Sequence, residues 1–545
     1  MKRKISLSIA LIAILFFAFK GPGEKYFDIA KSLDIFATLF KEVNAYYVDE
    51  IEPKKLVQTG IQGMLESLDP YTDYIPEEDL EAFSIQTTGQ YAGVGALIGV
   101  VNKKTVITHP YENFPAHRAG LHVGDEFVSV DGKNVKGKPS AEISALLKGN
   151  PNSELKVVVE RMGKPISVTL SREKIKISNV VYQGIIDNGI GYIKLDDFTP
   201  GAAKEVEEAM NNLKQKGATK IILDLRDNPG GLLHEAVNIV NLFIPKGKEV
   251  VSTKGKVQDW NKSYTTLNNP VDTQIPLAIL TSGGSASASE IVAGALQDYD
   301  RAVLVGQKTF GKGLVQTTRP LAYNAQLKVT TAKYYTPSGR CIQALDYTHR
   351  KNDGTVEKFA DSVKSSFKTS GGRIVYDGGG LDPDVVVPTE PIGSAIVELV
   401  RSGLVFDFAT RYCNEHPVPA DMHKFKLTPA DLQQFESWVN EQHFTYSTDL
   451  EREAAELVAA AKNERFYSEL QSSLTALQNK IQQNHSGYMT RFQPEIQNIL
   501  ESEIAFHYML NKGRTEVGLA SDKEIAEAKR ILSDSHSYQK FLLPH

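Results

Sequence analysis

The sequence predicts a multidomain α+β protein of four folded modules behind an apolar leader, and three observations carry that expectation. The chain has 545 residues, several times the roughly 100–200 residues of one domain. The spacing of its apolar residues changes along the chain, from helical to short glycine-punctuated strands, then to alternating strands and helices, then back to helical. Its composition, 41% hydrophobic, 23% charged and 9% aromatic, is that of a chain folding in water and excludes collagen-like, disordered and polytopic membrane classes. The 61 basic against 66 acidic side chains give a formal charge of −5, which offers no broad basic surface for a nucleic-acid backbone. Cys341 and Cys413 are too few for a disulfide framework or a four-thiolate zinc site, and a single bridge between them stays open.

Lys2, Arg3 and Lys4 precede the run 5–19, in which 13 of 15 residues are apolar. A positive flank before an apolar stretch of that length reads as an export signal over residues 1–23. No small-x-small cleavage pattern follows, so both a signal peptide and an uncleaved signal anchor fit; a buried N-terminal helix would leave the positive flank unexplained. Over residues 24–84 the spacing is helical (Ile29, Leu33, Phe36, Leu39, Phe40, Val43; then Leu56, Ile61, Met64, Leu65, Leu68), with a turn at Asp69-Pro70, predicting an N-terminal helical module. Residues 85–172 read as a β-rich domain with strands at 91–101, 105–108, 126–130, 155–160 and 166–170 and one helix at 140–147. Residues 173–390 alternate, with strand 190–195, helix 201–216, strand 220–225 and helix 232–242, which predicts an α/β core. Residues 391–545 return to helical spacing, with Thr428-Pro429 as one helix start and Ser521 to Glu524 as a capping box.

The histidines are scattered, no HExxH occurs and neither cysteine belongs to a CxxC pair, so no metal or other cofactor is expected. Gly306 to Lys312 satisfies GxxxxGK, but Gly313 stands where a phosphate loop needs Ser or Thr, and 314–318 reads as extended where that motif needs a helix. Ser171-x-x-Lys174 lacks the companion motifs of penicillin-binding enzymes and reads as chance. The strongest local feature runs from Thr281 to Leu296, where an apolar strand ends in a glycine turn and small residues lead into a helix. Ser287 and Glu290 have capping-box spacing, and an isolated Ser-x-x-Glu is usually no more than a cap. Yet a serine at a helix start after a buried strand sits where N–H groups and the helix dipole favour the negative charge of an oxyanion.

A nucleophilic serine needs a base. His234 falls inside a helical pattern and reads as a solvated helical histidine. Lys312, flanked by Gly311 and Gly313, sits on a backbone free to approach another element closely. A lysine acts as base when burial lowers its pKa from about 10.4 toward about 7–8; taken alone, Lys312 reads as a solvated loop lysine. Gln316, four residues on, shares its face of an extended strand and would orient the amine without adding charge.

The order of these pieces is itself informative. Gly284 to Glu290 followed by Thr309 to Gln316, with Asp224-Leu-Arg-Asp-Asn-Pro-Gly-Gly231 upstream and Thr331 to Arg340 and Gly380-Leu-Asp-Pro-Asp384 downstream, closely resembles the carboxyl-terminal processing, or tail-specific, proteases over about residues 25–390. The resemblance implies a protease core of the ClpP/crotonase-like type with Ser287 as nucleophile, Lys312 as general base, Gln316 positioning the lysine, and the N–H groups of Gly231 and Ala288 as oxyanion hole. It is this alignment to Lys312, and not local spacing, that selects Ser287 over Ser285 and Ser289. Tyr91, Ala92, Gly93, Val94 and Gly95 then look like the carboxylate-binding loop of a PDZ domain, whose N–H groups receive a terminal carboxylate while the peptide adds as a strand.

By the same resemblance the expected activity is that of an exported serine endopeptidase, periplasmic or anchored in the inner membrane by its N-terminal segment. It would act on polypeptides with apolar C-terminal tails, without nucleic acid, and self-associate through its helical modules. An inactive PDZ scaffold that binds tails is the main alternative, and a cytosolic hydrolase with a buried N-terminal helix a second. The family pattern is broken in one place, the polar stretch 344–379, where many relatives have a short connection; residues 391–545 also lie outside the shared catalytic region.

Overall fold

The computed structural model describes residues 22–544 except 352, 353, 361, 363 and 486, so the expected leader, up to residue 21, lies outside the described residues. Strands that read as continuous apolar runs assemble into one six-stranded sheet, in the order Val180–Asp187, Ile190–Leu195, Lys220–Asp224, Leu277–Thr281, Val303–Gly306 and Val385–Val386. Only the first pair is antiparallel. Every residue of Leu277–Thr281 and Val303–Gly306 is buried, as parallel strands covered on both faces require.

Helices Ala202–Gln215, Leu233–Asn241 and Ala288–Asp298 cover one face, where Val206, Met210, Val240 and Val292 pack on Ile221, Leu223 and Ile279. The opposite face, carrying Ile222, Ala278, Leu280 and Val303, is covered by the end of the chain: helices Lys523–Ser533 and Ser535–Phe541 bring Ile525, Ala528, Ile531, Leu532 and Tyr538 onto it. The Tyr538 hydroxyl donates to Arg301 O at 3.2 Å and accepts from Leu277 N–H at 3.0 Å.

A second sheet forms beside the core. Gln326–Tyr335 pairs with Leu314–Pro320 and Glu249–Gly255, and it also receives Asp73–Ile75 from the N-terminal part of the chain. Upstream, helices Pro22–Tyr46 and Pro53–Glu66 form where the spacing predicts, but they close no core of their own. Leu33, Phe36, Leu39 and Met64 are 50–64% exposed, and Leu65 is the one buried residue of the second helix. No described helix is long and apolar enough to cross a membrane.

The β-rich domain is a sheet ordered Ala96–Val101, Lys104–Pro110, Glu126–Val130, Glu154–Arg161, Lys164–Ser171, with helix Ser140–Leu147 packed on it. Residues 344–379 form two short antiparallel pairs, Leu345–Arg350 with Val356–Lys358 and Ser366–Lys368 with Ile374–Tyr376. The C-terminal helices have their own core around Phe408, Phe435, Leu500 and Ile504. Both cysteines are free, so the bridge left open by the sequence does not form.

The capping box expected at Ser521 to Glu524 is corrected. Asp522 caps the helix, accepting from Ile525 N–H at 2.8 Å, while Glu524 accepts from Gln307 Nε2 at 2.7 Å and lies 3.4 Å from Arg226. A carboxylate one residue nearer the helix does the capping, and a tertiary ion pair takes the glutamate. Thr428 does start its helix, paired with Asp431. Ile531→Ala removes a fully buried side chain and is expected to lower the unfolding free energy by about 2–5 kcal/mol in a urea titration, because the end of the chain is part of the protease core.

Candidate active site

The turn after strand Leu277–Thr281 carries all three candidate serines, and their surroundings separate them. Ser285 Oγ donates to Leu225 O at 2.7 Å and Ser289 Oγ to Asn228 O at 2.9 Å, both inside the protein. Ser287 instead lines a cavity of about 410 Å³ together with Gly230, Gly231, Lys312, Gln316 and Tyr334. Its backbone has φ +56°, a region that a non-glycine residue occupies only when its surroundings over-determine it, whereas an ordinary helix cap is extended.

What holds that turn is the loop after Lys220–Asp224. Asn228, fully buried, donates from Nδ2 to Leu195 O at 2.7 Å, accepts from Gly230 N–H at 2.9 Å, and offers its carbonyl to Ala286 N–H at 3.0 Å. Gly230 has φ +93°, and a Cβ there would stand 2.6 Å from Ala286 O and 2.7 Å from Ala288 N, so only glycine brings the two segments this close. Among the described residues, the N–H groups of Gly231 and Ala288 donate to no protein acceptor. Ala288 is the first residue of helix Ala288–Asp298, where such N–H groups are unpaired and the dipole favours negative charge.

Glu290, also fully buried, ties this turn to the lysine loop. Its Oε2 accepts from Ser287 N–H at 2.9 Å and Lys312 N–H at 2.9 Å, and its Oε1 from Gly311 N–H at 2.8 Å and Thr309 Oγ1 at 2.5 Å. Burial pushes the carboxyl above its ordinary pKa while these four donors hold it back. Three of the donors are backbone N–H groups that can only donate, so the ionised form fits the site.

Lys312 lies in the loop between strands Val303–Gly306 and Leu314–Pro320. The residues after it are strand and not helix, which disposes of the phosphate-loop pattern. Burial, helped by the charge of Lys328, lowers its pKa to about 8 against the pull of Glu290 and Asp69. Gln316 lines the same cavity, and its amide donates to Thr330 Oγ1 at 3.1 Å. No hydrogen bond of 3.5 Å or less joins Lys312 to Ser287 or to Gln316 among the described residues. His234 is apart from this group, its side chain 64% exposed beside Glu235.

The second candidate site is in the β-rich domain. Tyr91, Ala92 and Gly93 lie on strand Gln90–Gly93, paired with Glu173–Lys176. Val94 and Gly95 form the turn into Ala96–Val101; among the described residues the Val94 N–H donates to no protein acceptor, while the N–H groups of Gly95 and Ala96 face the Tyr91 hydroxyl. Among the described residues Ala96–Val101 pairs with Lys104–Pro110 and no other strand, so it is an edge strand.

Two contributors to the site were not picked out in the sequence. Asn228 sat in a recognised stretch without a role, and Glu290 read as half of a local capping box, a bond to Ser287 N–H that it does make while its other contacts reach residues 19–22 positions away. Glu290→Gln turns an amide toward N–H donors and is expected to lower the unfolding free energy by about 1–3 kcal/mol, measured by urea titration.

Comparison with known proteins identifies the modules that carry this geometry. Residues 189–348 match the model of peptidase family S41, residues 106–161 that of a PDZ domain, and residues 395–532 that of the probable PDZ-protease C-terminal helical domain. The chain is 37% identical over 324 residues to the carboxy-terminal-processing protease of Bartonella bacilliformis, covering 58% of this chain and 74% of that one. It is 37% identical over 341 residues to a probable CtpA-like serine protease of Staphylococcus aureus, covering 62% and 68%. Among solved structures, a photosystem II D1 C-terminal processing protease is 28% identical, covering 65% of this chain and 92% of that one, with a TM-score of 0.34. The protein is a member of the S41 carboxy-terminal-processing protease family, a serine-type peptidase carrying a PDZ domain and a C-terminal helical domain.

Proposed function

We propose that the protein is an endopeptidase working through a Ser287–Lys312 pair on a core of the ClpP/crotonase-like type. The observation that carries this reading is one cavity lined by a serine held at positive φ, a lysine with lowered pKa and Gly231, whose N–H, like that of Ala288 next to the serine, donates to no protein acceptor among the described residues. Neutral Lys312 takes the hydroxyl proton as Ser287 Oγ attacks a peptide carbonyl carbon, and the N–H groups of Gly231 and Ala288 receive the resulting oxyanion. The lysine returns the proton to the departing amine as the C–N bond breaks, and water then hydrolyses the acyl ester. Gln316 acts as an uncharged support for the lysine side chain. Because Ser287 and Lys312 share the cavity without being hydrogen-bonded, a small adjustment must complete the pair; substrate engagement at the PDZ domain is the event we assign to it.

The PDZ reading rests on the edge strand Ala96–Val101 and on the Val94 N–H, which donates to no protein acceptor among the described residues. A polypeptide tail adds to that edge while its terminal carboxylate meets the loop Tyr91 to Gly95. The charged and apolar leader supports export, with the catalytic modules outside the cytoplasm and the leader attached to the inner membrane where it is retained. The exposed apolar residues of Pro22–Tyr46 support self-association through helical modules.

Ser287→Ala and Lys312→Ala are each expected to cut the cleavage of an unfolded substrate with an apolar tail by at least about a thousandfold with unchanged urea midpoints. Tail binding without proteolysis in the unmutated protein would instead favour the inactive scaffold. Since the neutral amine is the base, kcat/KM is expected to rise about tenfold per pH unit below the lysine pKa and level off above about 8. A tail peptide is expected to bind at least about tenfold more tightly with a free C-terminal carboxylate than as its amide, because a charged acceptor is worth about 1.5–3 kcal/mol per hydrogen bond; isothermal titration measures both.

A further inference from the structure

The Lys312 ammonium lies against the ring of Tyr71, its Nζ 4.5 Å from the ring centre. Tyr71 comes from a distant part of the chain, the turn between helix Pro53–Glu66 and strand Asp73–Ile75. That turn is firmly built. Asp69, buried, accepts at Oδ1 from the N–H groups of Tyr71 and Thr72, both at 2.8 Å, and at Oδ2 from Thr72 Oγ1 at 3.0 Å. Thr72 Oγ1 in turn accepts from Thr330 N–H at 3.2 Å, and the strand that follows pairs Asp73 with Lys328 and Ile75 with Gln326. Thr330 is the residue that also receives the amide of Gln316, so the turn is fixed to the same strand as the lysine's neighbour.

The stretch 344–379 holds Tyr71 from the other side. Tyr347, on strand Leu345–Arg350, meets the Tyr71 ring edge to face at 6.1 Å and 89°, and Arg350 donates to Glu66 O at 2.9 Å, at the end of the helix before the turn. The region that departs from the family pattern therefore grips the N-terminal segment at Tyr71 and at Glu66 before it.

We propose that Tyr71 is a positioning residue for the base: its ring, clamped between the Asp69 turn and Tyr347, roofs the Lys312 amine, keeps water off it and directs it toward the cavity that Ser287 lines. This rests on the reading of Lys312 as base. The ring acts in two opposed ways. Excluding water disfavours the ammonium, while the electron-rich face attracts it. Burial is the largest influence on Lys312 and its pKa is lowered; the Tyr71 ring is the part of that cover to which the proposal assigns the lowering. The other groups facing the amine are Lys328, which acts in the same sense, and Glu290 and Asp69, which oppose it; Asp197 lines the same cavity. None of these is removed by changing Tyr71.

The test is the rate at which an alkyl fluorophosphonate phosphonylates Ser287 as a function of pH, a step in which the serine oxygen bonds to phosphorus, fluoride leaves and the proton goes to Lys312. In the unmutated protein the rate should rise to a midpoint near 8. Tyr71→Ala admits water and is expected to move the midpoint up by about one unit, with labelling at pH 7 about tenfold slower. Tyr71→Phe should keep the unmutated midpoint, and Tyr71→Leu, which covers without an aromatic face, should place it at or below that value. Tyr347→Ala is expected to shift it in the same direction as Tyr71→Ala and by less. An unmoved midpoint in Tyr71→Ala, or a Tyr71→Phe variant that behaves like Tyr71→Ala, overturns the proposal; should Tyr71→Ala fail to fold, a raised midpoint in Tyr71→Leu overturns it equally. Undiminished labelling in Lys312→Ala would instead overturn the base assignment, whatever Tyr71 does.

Discussion

A buried carboxylate with four donors around it is the constraint on which this site depends. An unpaired charge inside a protein costs far more than the contacts around it supply, so Glu290 fixes the position of every group that satisfies it. Those groups belong to two segments, the turn with Ser287 and the loop with Gly311 and Lys312. Ser287 and Lys312 are thereby placed in one frame through their main chains, independently of any bond between their side chains. The same carboxylate opposes the lowering of the lysine pKa. Burial still prevails, in keeping with a negative charge already taken up by three N–H groups and a hydroxyl.

Around that frame, parts far apart in sequence each complete a piece of the core. The end of the chain covers one face of the central sheet, and Asp522 meets Arg226 at 2.8 Å, two residues before the Asn228 that holds the nucleophile turn. Arg226 is itself bound to the buried Asp224 at 2.6 Å, and Asp224 accepts from the Tyr192 hydroxyl at 2.6 Å. The N-terminal segment supplies a strand of the second sheet and the ring over Lys312. The PDZ domain in turn packs Val123 against Phe506 and Leu510 of the C-terminal helices. The PDZ domain, the C-terminal helices and the protease core are thus joined by side-chain contacts.

Much of this was legible in the sequence, for identifiable reasons. The strand at 190–195 and the helix at 140–147 have the boundaries the spacing predicts, because a buried strand and an amphipathic helix are written in local periodicity. The three serines were not separable locally, since what distinguishes them is where the hydroxyls of Ser285 and Ser289 find carbonyl partners some 60 residues away. Glu290 and Glu524 were both read as cap partners; Glu290 keeps its bond to Ser287 N–H and adds contacts to the lysine loop, while Glu524 makes tertiary contacts instead, and no short spacing encodes these. Tyr71 carried no local signal at all; its meaning comes from a lysine 241 positions later in the same chain.

The most direct measurement is mass-spectrometric mapping of the covalent species formed when the protein is mixed with a tailed substrate and quenched in acid within a turnover. A peptidyl ester on Ser287, with Ser285 and Ser289 unmodified, is the predicted result. No acyl adduct under conditions of active cleavage, or an adduct on either neighbouring serine, would contradict the assignment of Ser287 as nucleophile.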